Sequence, residues 1–240
     1  MTTRKTAKME QNRNAHNKYA VGYIEANKIL LSSNVIKDFP CNAIDVLKEQ
    51  TDIKPCSFGR AENKYGIPVK SFGSKSASLH ENYGRYILFY NEKEIRYRIR
   101  FSIFHELGHY LLGHKMNFKE DTPEYKEQEF EANIFAAQLI IPEQILLELQ
   151  RRGKQLTPDF LEKRFDVSND TAIIQLKNLR NSVYRKDCEK EFDDVILLKY
   201  AKILNEIIPF EQSAYFNDYN NYCLQTERDS WSVDQRTRWD

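Results

Sequence analysis

Cysteine is scarce in this 240-residue chain: Cys41, Cys56, Cys188 and Cys223 have no close pair among them. That spacing excludes a disulfide framework and a thiolate metal cluster, and it fits reduced thiols in ordinary packing positions. An excess of either charge is missing too. Thirty-six Lys and Arg stand against 35 Asp and Glu, net +1, so no global basic field draws the chain to nucleic acid or anionic lipid. Any DNA contact would need a local patch. No apolar run approaches the roughly 20 residues of a membrane span, and the polar N-terminus has no apolar signal segment. The expectation is therefore a cytoplasmic protein with no membrane partner. No internal repeat appears, and the 8 glycines form no phosphate-cradling loop. The length still allows a sizeable core in one or two compact units.

Histidine is also rare, with five in the chain, yet two stand four apart in His105-Glu106-Leu107-Gly108-His109. Residues i and i+4 of a helix lie one above the other, so the two imidazoles can converge on one divalent ion. Position i+1 is about 100° round the helix. Glu106 then points beside the metal, where a carboxylate can take a proton from water activated there. Measured from Phe101, the His pair falls near about 40–80° and Glu106 near about 140°, while Ile103, Phe104, Leu107 and Leu111 fall near about 200–300°. Chemistry and core thus occupy different faces. His114 follows Leu111-Leu112-Gly113 at about 220°, on the apolar side. It is expected past the helix end in a structural role, not as a ligand.

A catalytic zinc takes three protein ligands and keeps one position open, so a third must come from elsewhere. After Pro123, Glu124 to Asn133 opens a second amphipathic helix running to about Ile141, where Pro142 stops it. With Glu129 at zero, Asn133, Ala136 and Ile140 fall within about 40° of it, a face small enough to approach the motif helix. Glu127, Glu131 and Gln138 cluster near about 160–200°, which predicts a solvated face. Glu129 is accordingly the expected third ligand, with Glu131 the alternative. Asn133, one turn on, could hydrogen-bond a ligating histidine.

The stretches Arg100–His114 and Glu129–Pro142 together resemble the ImmA/IrrE family of zinc metallopeptidases, in the right order. Gly84–Asn91 also resembles the family's strand before the motif helix. Ile140-Ile141-Pro142 replaces the usual Leu-Met-Pro, a volume-conserving change. In that family the first Glu of Glu-x-x-Ala-Asn/Asp-x-Phe-Ala is the third ligand, which implies that role for Glu129. The resemblance further implies proteolysis of a transcriptional repressor, often a helix-turn-helix protein.

Elsewhere, 1–18 is polar and weakly basic and is expected to be a flexible tail. Apolar residues recur at helical spacing from Tyr19 to Leu31, and a second short helix is expected over Ala43–Glu49, with Pro40 and Pro55 as breaks. Ser57–Tyr90 predicts short strands and a hairpin or meander, and an edge strand there could dock an extended substrate; Ser74–Ser78 is read as a plain surface turn in preference to the rim of that strand. Gln144–Gln150 continues helically. Thr157–Leu179 resembles a helix-turn-helix, with Thr157 capping the first helix, Pro158 at its first position, and Ser168 capping a second whose Ala172, Leu176 and Leu179 face inward. Structural or partner-binding use is favoured there over DNA reading by Lys177, Asn178 or Arg180. One more helix is expected over Asp193–Ile208, ended by Pro209.

These expectations amount to an α+β fold. A zincin-like metallopeptidase domain occupies 19–150, a helical helix-turn-helix-like region 151–209, and a C-terminal tail of unassigned role 210–240. The expected activity is zinc-dependent endopeptidase chemistry on a protein substrate, a helix-turn-helix repressor: His105, His109 and Glu129 hold Zn²⁺ and Glu106 is the general base. The alternative is a non-proteolytic regulator that binds a repressor or DNA and uses zinc structurally.

Overall fold

A computed structural model describes residues 19–73, 76–115, 122–180 and 190–209. The tails 1–18 and 210–240 lie outside the described residues, as do Ser74, Lys75, Cys188 and Cys223. The arrangement is α+β: helices in the majority around a three-stranded sheet.

Helix α1 covers 19–32 and α2 Ala43–Gln50, the latter capped by the Asn42 side chain accepting from the Ile44 amide. Strand β1, Lys54–Ser57, runs straight into α3, Phe58–Tyr65, and a 3-10 turn follows at Val69–Phe72. The helix α3 departs from the strands expected after Ser57. Ser57 ends β1 and also caps α3 through its side chain, which accepts from the Arg60 amide. Pro55 likewise sits inside β1 rather than breaking the chain. It is tolerated there because β1 is an edge strand and needs fewer backbone donors.

Strands β2, Ala77–Asn82, and β3, Arg85–Tyr90, form the expected hairpin. Tyr83 and Gly84 turn it with φ of 50° and 72°, the doubly positive geometry that matches strand twist. β3 is central, parallel to β1 and antiparallel to β2 with Leu79 opposite Leu88, which leaves β2 as the other edge. Cys56, Phe58, Phe72 and Phe89 close a small core on one side of the sheet.

The metal-motif helix α4, Arg96–Leu111, buries Ile103, Phe104 and Leu107. It packs on α5, Pro123–Ile140, which Thr122 caps through the Tyr125 amide. Gly108 makes this closeness tolerable, since a Cβ there would lie 2.9 Å from Phe135 Cδ1 and 3.3 Å from Ala132 Cα. Gln138 is 3 % exposed, not on a solvated face as its wheel position predicts. The reason is α1, which covers that side of α5: a Cβ on Gly22 would lie 2.3 Å from the Glu131 carbonyl oxygen. Gln138 instead donates to Asn27 of α1 and to Gln144 of α6, Glu143–Arg151.

Thr157 caps α7, Pro158–Phe165, and the Ser168 side chain accepts from the Thr171 amide at the start of α8, Asn169–Arg180. Ala172, Leu176 and Leu179 are buried as expected, in the same cluster as Ile103, Leu107 and Phe135. Arg100 of α4 ties this pair down by donating to the Phe165 carbonyl at 2.7 Å and to Asp166 Oδ2 at 3.3 Å. Ile173 and Ile174 are about half exposed, at 48 % and 57 %, which suits protein contact better than a phosphate backbone.

The last expected helix is two: α9, Lys190–Lys199, and α10, Ala201–Ile207. No Gly or Pro marks the break. Tertiary contacts do, because Lys199 Nζ and Tyr200 Oη both donate to the carbonyls ending α1, including Leu30 O at 2.6 and 2.9 Å. Burial pushes the Cys41 thiol up to about 11. The folded chain is therefore expected to leave Cys41 unalkylated by iodoacetamide at pH 8, with labelling on unfolding, as read by peptide mass.

Candidate metal centre

α4 carries His105, Glu106 and His109 on its side away from the core, and α5 brings Glu129 across from them. His105 Nε2 and His109 Nε2 are 2.9 Å apart. Glu129 Oε2 is 3.4 Å from the first and Glu129 Oε1 3.2 Å from the second. Ligand atoms about 2.0–2.1 Å from a tetrahedral ion such as zinc lie about 3.3 Å from one another, close to the spacing of these contacts, which reach two different oxygens of Glu129. Among the described residues these three form a group able to hold a metal ion. Hydrogen bonds from the two imidazoles push the Glu129 carboxyl well below the usual range, ahead of the opposing effect of burial. That favours the ionised carboxylate.

The outer nitrogens are fixed as well. His105 Nδ1 lies 3.0 Å from Asn133 Oδ1, one turn beyond Glu129, an acceptor for the Nδ1 hydrogen when an ion takes the Nε2 lone pair. Asn133→Ala is expected to weaken zinc binding by about 10–100-fold, measurable by competition with a chromogenic chelator. Glu131 does not join the triangle: its Oε2 is 3.0 Å from His114 Nε2. Nor does His114 follow the apolar side of the wheel. Gly113, at φ 67°, ends the helix and turns the chain back, and the His114 imidazole meets His109 with Nδ1 to Nδ1 at 2.9 Å. Burial pushes His114 down to about 4, with the neighbouring His109 adding to the effect.

Glu106 lies off the triangle, where Oε2 accepts from the Leu79 amide of β2 at 3.2 Å. Burial raises its affinity for a proton, against the lowering pull of His105 and His109. A cleft of about 560 Å³ opens over these groups, walled by Ser78–Glu81 of β2 on one side and by Tyr125 and Gln128 of α5 on the other.

Residues 62–177, from within α3 to within α8, match the model of a peptidase family, described as the IrrE N-terminal-like domain. The chain carries an IrrE N-terminal-like domain. No curated protein and no solved structure gives a match. The IrrE-like domain contains every group of the centre and the whole β2–β3 hairpin. Among the described residues no single helix is long and apolar enough to cross a membrane.

Sequence reasoning missed Tyr125 and His80, which line the same cleft. Tyr125 stands four residues before Glu129, the same i, i+4 relation that pairs the histidines, and that spacing was a usable signal. His80 had none, because its place depends on β2 lying beside α4.

Proposed function

We propose that this chain is a zinc-dependent endopeptidase that cleaves a helix-turn-helix repressor. The observation that carries the chemistry is the triangle of His105, His109 and Glu129, with Glu106 buried beside it. Bound there, Zn²⁺ would polarise a scissile carbonyl and bring the pKa of a water near about 7. Glu106, held by Leu79 N–H, takes the proton of the attacking water and delivers it to the leaving amine. Leu79 directs that N–H away from β3, so β2 offers an edge against which an extended peptide can lie. Tyr125 and His80 are the cleft side chains suited to donate to the developing oxyanion. The repressor is the substrate that the ImmA/IrrE resemblance implies, and the exposed Ile173 and Ile174 of α8 offer a surface for such a partner.

Elemental analysis of the purified chain tests the metal. About one zinc per chain is expected in the wild type, retained in Asp170→Ala and absent from folded Glu129→Ala. Zinc retained in Glu129→Ala would dismiss the triangle. Incubation with purified helix-turn-helix repressors then tests the substrate class by mass spectrometry: a zinc-dependent cut is expected, and none in any of them would overturn it.

A further inference from the structure

Resting on that zinc reading, we propose that His114 and Glu131 are positioning residues: together they lock the proton of His109 on Nδ1 and so present Nε2 as the ligating atom. The two ligand histidines are supported differently. His105 leans directly on the side-chain oxygen of Asn133. His109 leans on a second imidazole, which in turn leans on a carboxylate.

The proton positions follow from which atoms can donate. An ionised Glu131 has no hydrogen to give, so the 3.0 Å contact requires the proton on His114 Nε2. A neutral imidazole carries one N–H, so His114 Nδ1 is left with a lone pair. The 2.9 Å contact between the two Nδ1 atoms then needs its hydrogen from His109. With that hydrogen on Nδ1, His109 Nε2, which faces Glu129 and His105 Nε2, keeps its lone pair for an ion bound among them. Reversing any one hydrogen would put two donors or two acceptors face to face, or place a proton where the ion must sit.

Backbone geometry makes the support rigid. Gly113 N–H bonds the Tyr110 carbonyl at 3.2 Å and His114 N–H bonds the His109 carbonyl at 3.0 Å, the paired closure of a helix ended by a left-handed glycine. His114 is thus held to His109 by main chain and side chain alike. Both supports are enclosed, with side-chain exposures of 6 % for His114 and 14 % for Glu131, so water does not readily replace them. α1 presses on the backbone of α5 at Glu131 through Gly22 and fixes the far end.

The test begins with the zinc-loaded wild type in long-range ¹H–¹⁵N NMR, which reads tautomers directly and needs no variant to fold. His114 protonated on Nε2 and bare on Nδ1 is the expected result. A proton on His114 Nδ1 overturns the proposal. Zinc affinity is then compared by chelator competition. His114→Phe, which keeps the ring but removes the acceptor, is expected to lose about 10–100-fold. His114→Gln, whose side-chain oxygen can accept from His109 Nδ1 while its amide donates to Glu131, is expected to recover most of that. Equal affinity for wild type and folded His114→Phe overturns the positioning role while leaving the zinc reading intact. A wild type that takes up no zinc overturns the zinc reading instead.

Discussion

Glu106→Gln is expected to fold, to hold its zinc, and to cleave roughly 10³-fold more slowly than the wild type, in line with loss of a positioned general base. The substitution is nearly isosteric. The Leu79 amide that reaches Glu106 Oε2 at 3.2 Å can be received equally by a glutamine carbonyl oxygen, so β2 keeps its place beside α4. The three ligand atoms are on other residues, so the metal stays. What disappears is a basic oxygen whose proton affinity burial has raised. Zinc content, circular dichroism and single-turnover cleavage, taken on one preparation, separate these outcomes. Cleavage at the wild-type rate would remove Glu106 from the mechanism. In cells, intact gene regulation by Glu106→Gln would favour the non-proteolytic regulator over the peptidase.

Gly22→Ala is expected to be the most damaging single methyl in the described chain. Its Cβ would lie 2.3 Å from the Glu131 carbonyl oxygen and 3.2 Å from the Phe135 nitrogen, both backbone atoms that cannot swing aside. Either α1 lifts from α5 or α5 shifts, and overpacking of that kind costs about 3 kcal/mol or more. For a chain of this size that is a fall in Tm of about 6–12 °C. Zinc affinity should decline with it, since α5 carries Glu129, Glu131 and Asn133. Val21→Ala, at a residue 44 % exposed, is the control and should stay within about 0.5 kcal/mol of the wild type. Urea unfolding of the two variants decides the matter. An unaltered midpoint for Gly22→Ala would mean that α1 does not rest on α5.

The sequence made the centre legible wherever a helix alone fixes geometry. The i, i+4 histidines, the offset of Glu106, and the shared face of Glu129 and Asn133 all follow from one helical period, and the structure brings these side chains together. Caps were equally readable, at Thr157 and Ser168, because they depend on a side chain and an amide a few residues apart. What failed depends on neighbours distant in sequence. Gln138 looks solvated on its own helix, and only the approach of α1 buries it. His114 lies past the helix end as expected, but the wheel puts it with the apolar side; the left-handed Gly113 ends that period, so the return to His109 is invisible in the sequence. The break at Tyr200 has no breaker residue and owes its position to the carbonyls ending α1. The helix α3 was missed because Ser57 serves both as last strand residue and as cap, and composition does not separate the two.

The seating of Arg100 on the end of α7 also bears on how the chain can be divided. Its guanidinium bridges to Phe165 and Asp166, and Leu161, Phe165 and Ala172 share the interior with Ile103 and Leu107 of the motif helix. A truncated gene ending after α6 would thus not encode a smaller version of the same molecule. It would leave a buried cation without its acceptors and open the apolar seat beneath the zinc-motif helix to water. Heat should melt the two regions in one endotherm, and anything that grips α7 and α8 also holds the helix of His105 and His109 in place.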